Sequence, residues 1–162
     1  MPAMTPSKVK NSMRKSLLEM IDPSPSKQEV GRVWAFFDSK CAYCGVELSR
    51  VRREGHIDHL VPLSVNGVNH VSNRVLACGT CNGDEKRDVH WAEFIVQKCS
   101  ANQTVLNERV AKIRGWQQLN KGQPLKPSVR REIEKICDQM FMQYDTAIKS
   151  AKSLRTSDAK IR

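Results

Sequence analysis

The sequence contains few aromatic residues and no long hydrophobic run. Phe, Trp and Tyr make up 6% of the 162 residues, and apolar residues as a whole make up 40%. These fractions indicate a modest hydrophobic core, which a bound metal would help to stabilise. No apolar stretch approaches the roughly 18 residues that a membrane-spanning helix needs, and no such stretch follows the basic N-terminus as in a secretory signal. We therefore expect an intracellular, cytoplasmic protein.

Acidic residues are also scarce relative to basic ones. The chain has 17 Asp and Glu against 27 Lys and Arg, which gives a formal net charge of +10. This excess favours a polyanionic partner, because basic side chains that neutralise phosphates release condensed counterions. Charge indicates nucleic acid, but it does not distinguish DNA from RNA.

Turn residues and apolar periodicity predict three segments. Residues 1–26 form a basic N-terminal segment that ends in a turn at Pro23 and Pro25. Residues 27–95 form a core, which opens with a helix capped by Ser26 and Glu29 in a capping box and contains two short strand patterns at 56–61 and 73–77. Residues 96–162 form a C-terminal extension with apolar residues at helical spacing. The expected class is α+β.

Two Cys-x-x-Cys pairs bracket the middle of the chain, Cys41 with Cys44 and Cys78 with Cys81. Cysteines two residues apart let one turn present two sulfurs to the same ion. In a reducing compartment, paired cysteines hold metal more often than they form disulfides. We therefore interpret the four as a structural zinc site; two disulfides or four unrelated buried cysteines are the alternative. Cys99 has no such partner and is expected to be a buried small hydrophobe, as is Cys137.

Four polar side chains near these pairs suit phosphodiester hydrolysis: Asp58, His59, Asn73 and Asn82. The reaction needs an activated water, a cation that offsets phosphate charge, and groups that hold both. A histidine is largely neutral at pH 7 and can accept the proton of water. Carboxylate and amide oxygens suit Mg²⁺ or Mn²⁺. Because side chains alternate along a strand, Asp58 and His59 are expected to point to opposite faces.

The central third of the chain, residues 41–88, resembles the zinc-bearing branch of the HNH nucleases. The residues that carry the resemblance are Asp58-His59, Pro62, Asn66-Gly67, Asn73, Cys78, Cys81, Asn82 and Lys86. The family's fold is the ββα-metal finger, so the resemblance implies a small zinc-stapled ββα-metal core flanked by mainly helical N- and C-terminal extensions. The chain has Asn82 where the third letter of the family name has His, and this departure leaves the metal preference open.

The resemblance also implies roles for these residues. Asp58 and Asn82 would hold the catalytic divalent ion, His59 would deprotonate the attacking water, and Asn73 would fix the imidazole through its side-chain amide. The expected products are a 5′-phosphate and a 3′-hydroxyl. Lys86 lies one helical turn after Asn82 and is expected to neutralise the scissile phosphate, or else to be a solvated lysine.

The expected activity is that of a metal-dependent DNA endonuclease. Arg52 and Arg53 are candidates for phosphate contacts, although a solvated loop is equally consistent with them. His56 is a weak candidate for a substrate contact, and His90 is expected to be a cap or core residue. A single site cuts one strand, so double-strand cleavage would need a homodimer or two nicks. Two alternatives remain open: a zinc-stabilised nucleic-acid-binding module without catalysis, and an RNA-cleaving nuclease. A restriction-type, phage or mobile-element role fits the chain, but its sequence does not reveal a recognition site.

Overall fold

A computed structural model describes residues 4–122 and 125–158 of the chain. It contains five α-helices and two strands within these ranges. They are α1 (Pro6–Ile21), α2 (Lys27–Phe36), β1 (Gly55–His59), β2 (Arg74–Cys78), α3 (Trp91–Lys98), α4 (Gln103–Leu119) and α5 (Pro127–Asp158). Two 3₁₀ turns (Leu63–Val65 and Val71–Asn73) connect the strands, and a short π-helix (Thr80–Lys86) follows β2. The predicted α+β class is confirmed.

The described residues form two compact units. The core unit is residues 22–122, and the helical unit is residues 4–21 together with 125–158. The core unit extends beyond the predicted 27–95 because α4 belongs to it: Ile113 and Trp116 of α4 are buried, and Trp116 packs against Phe36 with ring centroids 5.0 Å apart. No helix among the described residues is both long and apolar enough to cross a membrane.

The centre of the core unit is an antiparallel hairpin of β1 and β2. The register pairs Asp58 with Val75 and His59 with Arg74. Asp58 is buried and His59 is half-buried, as the alternation predicted. Gly55 begins β1 where a Cβ atom would lie 2.3 Å from the Trp34 ring, so that only glycine allows α2 to pack this closely.

Local capping signals agree with the helix starts. The Ser26 hydroxyl accepts a hydrogen bond from the Glu29 main-chain amide, and the Glu29 carboxylate accepts one from the Ser26 main-chain amide, which confirms the predicted capping box. The helical pattern after residue 90 is broken between Cys99 and Asn102, because Asn102 caps a new helix by accepting a hydrogen bond from Val105 N. Cys99 and Cys137 are buried, as predicted.

The helical unit consists of α1 and α5, which pack against each other. Lys10 of α1 forms an ion pair with Asp145 of α5, with Nζ 2.7 Å from Oδ2. Lys10 and Arg14 also lie over the Phe141 ring, 5.5 and 5.4 Å from its centroid. The apolar stripe predicted along α5 therefore has a partner helix within its own chain.

Candidate active site

The two cysteine pairs converge on one point. The four Sγ atoms of Cys41, Cys44, Cys78 and Cys81 all lie within 4.8 Å of one another. The Sγ atoms of Cys44 and Cys78 are 3.8 Å apart, which is about the edge of a tetrahedron of sulfurs around Zn²⁺ at roughly 2.3 Å. All four thiols are free, so the disulfide alternative is wrong.

The protonation of these thiols favours a cation among them. The pKa of Cys41 is lowered to about 4, chiefly because the Cys81 thiol donates a hydrogen bond to it. Burial raises the pKa of Cys44 to about 11. Four thiols this close, two of them buried, cannot all ionise without a positive charge between them, whereas a divalent ion favours four thiolates. The geometry and the donor set together suggest a zinc site.

Arg109 of α4 holds the first cysteine turn in place. Its guanidinium donates to the carbonyl oxygens of Tyr43 and Cys44, the latter at 2.8 Å. Gly45 follows with a positive φ of 76°, and a Cβ there would lie 2.7 Å from the Arg109 side chain. Sequence patterns did not identify this contact, because 64 or more residues separate its partners.

Asp58 points from β1 into the interior, where it contacts Tyr43, a residue of the first cysteine turn. Its Oδ2 accepts a hydrogen bond from the Tyr43 hydroxyl at 2.7 Å and lies 3.1 Å from Lys86 Nζ. Lys86 also donates to the His59 carbonyl oxygen at 2.6 Å. The second carboxylate oxygen, Oδ1, takes part in none of these contacts. The carboxylate is thus held in place from one side.

Lys86 is fully buried, which corrects its predicted role. A lysine with no exposed surface does not reach a scissile phosphate, nor is it a solvated lysine. The π-helix turns it inward, where it pairs with Asp58 and ties this helix to β1. We therefore assign Lys86 to the support of the site and not to substrate binding.

Replacing Lys86 with methionine is expected to lower the free energy of unfolding by about 3–5 kcal/mol, because Asp58 would keep a buried charge without its partner. Urea denaturation followed by tryptophan fluorescence measures the change. Lys98→Met is the control, since Lys98 pairs with Glu85 nearer the surface and such pairs contribute about 1 kcal/mol or less. Equal losses in the two variants would contradict the assigned role of Lys86.

The His59 imidazole is held by two side chains. Its Nε2 lies 3.0 Å from Asn69 Oδ1, and its Nδ1 lies 3.0 Å from Arg74 Nη1. Asn69 is in turn anchored by Asp22 through two hydrogen bonds. The main-chain N–H of Asn69 donates to Asp22 Oδ2, and the side-chain Nδ2 of Asn69 donates to the main-chain carbonyl oxygen of Asp22. The imidazole orientation therefore depends on Asn69, Arg74 and, through Asn69, on Asp22.

Asn73 does not contact the imidazole, which corrects the role that the resemblance implied. Its Oδ1 accepts from Val61 N at 2.8 Å, and its Nδ2 donates to the carbonyl oxygens of Val61 and Val68. These bonds close the loop between the strands. Asn73 therefore shapes the loop that carries Asn69, while Asn69 holds the histidine.

Burial and a neighbouring cation keep the imidazole neutral. The pKa of His59 is lowered chiefly by burial and then by the Arg74 guanidinium, against a smaller opposite effect of the hydrogen bond with Asn69. A neutral imidazole at pH 7 has the protonation state that a general base requires.

The remaining predicted residues lie at the surface or at helix starts. Arg52 and Arg53 are exposed in the loop before β1, and Arg52 pairs with Glu54 at 2.7 Å. Asn82 is half-buried on the π-helix. His56 is exposed on β1. His90 caps α3 by accepting a hydrogen bond from Ala92 N, which agrees with the predicted role as a cap residue.

The middle of the chain is similar to known proteins. A family model described as "HNH endonuclease" matches residues 41–88. A curated relative in Bacillus subtilis (strain 168), named "SPbeta prophage-derived putative HNH endonuclease YoqL", is 30% identical over 93 residues. That match covers 50% of this chain and 36% of the relative, so the chain spans little more than a third of the relative's length.

Proposed function

We propose that the protein is a metal-dependent endonuclease that cuts DNA, on the premise that residues 41–88, which match the HNH endonuclease model, form a nuclease core of that family. The observation that carries the proposal is that Asp58 and His59 lie on β1, which pairs with the strand that ends at Cys78, one of four cysteines whose Sγ atoms lie within 4.8 Å of one another. Binding alone does not require a neutral histidine next to this carboxylate.

We assign the catalytic Mg²⁺ or Mn²⁺ to Asp58 and Asn82, and the structural Zn²⁺ to the four cysteines. Two observations support the first pair: Asp58 Oδ1 lies outside the contacts that hold Oδ2, and Lys86, four residues after Asn82 on the π-helix, contacts Asp58. When bound, the divalent ion offsets negative charge on the phosphate and the leaving oxygen.

In this proposal His59 is the general base. Nδ1 takes a proton from the water whose oxygen attacks phosphorus, the P–O3′ bond breaks, and the released 3′-oxygen takes up a proton from solvent. The products are then a 5′-phosphate and a 3′-hydroxyl. Asn69 keeps the ring in position during this transfer, because it holds Nε2.

The distribution of charge supports nucleic acid as the substrate. Residues 1–21 and 125–162 contain 13 Lys and Arg against 6 Asp and Glu, whereas residues 22–124 contain 14 against 11. Most of the positive excess therefore lies outside the catalytic core. We propose that the helical unit contributes electrostatic affinity for the DNA backbone, with Arg52 and Arg53 as phosphate contacts near the site.

Neutralising two basic residues of α5 is expected to weaken DNA binding and to make the binding constant less dependent on salt concentration. In the double variant Arg131→Gln, Lys149→Gln, the slope of log K against log salt should fall by up to about 0.9 for each lost phosphate contact. Fluorescence anisotropy with a duplex at several salt concentrations measures it. The control removes the same charge from the core unit, at Arg114 and Lys121; an equal loss there would contradict a special role of α5.

Plasmid nicking by the full-length protein tests the proposal. With Mg²⁺ or Mn²⁺ it should convert supercoiled plasmid to the nicked form and leave 5′-phosphate ends. Binding without strand breaks under any divalent ion would instead support a non-catalytic module, and faster cleavage of total RNA than of plasmid would support an RNA-cleaving enzyme. Linear product at early times would indicate a homodimer.

The biological setting is also a proposal. Restriction-type cleavage, or a phage or mobile-element role, fits a small nuclease core with additional helices, and the prophage-derived relative favours the latter. Sequencing the ends made on a defined plasmid would separate a recognised site from unspecific cutting.

A further inference from the structure

The Nδ1 atom of His59 already accepts a hydrogen bond. A guanidinium has donors and no acceptor, so Arg74 Nη1, 3.0 Å away, donates to an unprotonated Nδ1. Asn69 turns its Nδ2 to the Asp22 carbonyl, which leaves Oδ1 as the acceptor facing the ring. Nε2 must therefore carry the hydrogen and donate to Asn69. These hydrogen bonds select the tautomer with the hydrogen on Nε2, and the hydrogen bond from Arg74 occupies the lone pair of Nδ1.

This arrangement conflicts with the task of a base. Nδ1 has a single lone pair in the plane of the ring, and it cannot accept a proton from water while Arg74 Nη1 donates to it. The ring cannot use Nε2 instead, because that nitrogen carries the hydrogen and faces Asn69. The guanidinium has to leave Nδ1 before the reaction starts.

The three nitrogens of the Arg74 guanidinium donate to two different residues. Its Nε donates to the Asn69 carbonyl oxygen at 3.2 Å, and its Nη2 donates to Asn69 Oδ1 at 2.5 Å. These bonds hold one edge of the guanidinium, whereas Nη1 extends to His59. Arg74 is buried but not completely, with 7% of the residue exposed. Guanidinium groups bind phosphate oxygens strongly, so a phosphodiester beside His59 competes for Nη1.

We propose that Arg74 is a positioning residue that latches the general base. In the free protein it fixes the Nε2–H tautomer of His59 and covers Nδ1; when DNA binds, Nη1 moves to a phosphate oxygen and Nδ1 becomes accessible to water. The histidine is thereby released only beside a phosphodiester. This inference rests on the proposed function, because it assumes that His59 acts on a nucleic-acid phosphate.

Nitrogen NMR of the ¹⁵N-histidine-labelled, zinc-loaded full-length protein tests the latch directly. Free protein should show a protonated Nε2 and a bare Nδ1 on His59. The Arg74→Met variant gives the chemical shift of an Nδ1 that receives no hydrogen bond from a guanidinium. Adding a DNA duplex to the parent, without Mg²⁺, should move the parent's Nδ1 resonance toward this chemical shift. An Nδ1 resonance that stays in place while anisotropy shows saturated binding would overturn the latch.

Nicking kinetics provide the second readout. We expect Arg74→Met to lower kcat at saturating DNA by about 10- to 100-fold, since the phosphate contact is lost, and Arg74→Lys to retain part of the rate. Arg114→Met, an exposed arginine of α4, should keep parental kcat. A purely structural arginine would lower the melting temperature and leave kcat of the folded fraction unchanged.

The two ideas fail in different ways. If the parent nicks plasmid and folded Arg74→Met nicks at the parental kcat, the latch is wrong and the nuclease proposal stands. If the parent cleaves neither DNA nor RNA, the nuclease proposal is wrong, and the latch fails with it. Should Arg74→Met not fold, Arg74→Lys supplies the kinetics, and the movement of the parent's Nδ1 resonance when duplex is added remains the test of the latch.

Discussion

His59→Ala is expected to reduce plasmid nicking by about 10²- to 10⁴-fold, the usual contribution of a positioned general base. The variant loses Nδ1, the atom that would take the water proton, and a water molecule in the vacated space is a far weaker base. Its fold should persist, because the half-buried imidazole contributes little to the core and Lys86 contacts the main-chain carbonyl of residue 59. Initial nicking rates with Mg²⁺, normalised to the folded fraction, measure the effect.

The matched control is His90→Asn. His90 is exposed and caps α3 with its Nδ1, and asparagine keeps an acceptor for that cap. Its nicking rate should stay within about twofold of the parent. If His59→Ala cut as fast as His90→Asn, the assignment of the general base would be wrong, although another residue could still make the protein a nuclease.

Loss of one zinc-cluster thiol is expected to unfold the core unit. Cys44→Ser should bring the zinc content from one ion per chain to near zero and abolish the cooperative unfolding transition. Zinc binding contributes about 10–16 kcal/mol in small zinc-dependent folds, which equals or exceeds the 5–15 kcal/mol that stabilises an ordinary domain. Elemental analysis and urea denaturation of the purified protein measure the two effects.

Cys99→Ala is the control for that experiment. Cys99 is also a buried cysteine of the core unit, and it lies 3.2 Å from Arg109 Nη1, but it is not one of the four converging thiols. This variant should keep one zinc ion and lose only a small part of its stability. A parent protein without zinc, or equal zinc loss in both variants, would contradict the assignment of the cluster.

Local patterns identified much of the framework. The Cys-x-x-Cys spacing predicted the convergence of four sulfurs, and strand alternation predicted that Asp58 and His59 point to opposite faces. The capping box at Ser26 was equally readable, since its two hydrogen bonds join residues three apart. Each of these features depends on neighbours within a few residues, or on repeated spacing, so the sequence contains the whole signal.

The partners of the catalytic groups were less accessible to sequence reasoning. Asn66, Asn69 and Asn73 all lie in the loop between the strands, and nothing in their order tells which one faces the imidazole. The family resemblance implied Asn73, but that amide closes the loop through Val61 and Val68. Asn69 reaches His59 because Asp22, 47 residues away in sequence, orients it.

The sequence by itself determined which chemistry is available here: four thiols for one ion, a carboxylate beside a histidine, and an excess of basic residues. The tertiary structure alone decided which residues hold these groups in place. Register placed Arg74 opposite His59, and the π-helix turned Lys86 from solvent toward Asp58. The physical reason is range: spacing along the chain sets which face a side chain occupies, whereas a hydrogen-bond partner on another segment depends on how the backbone folds back.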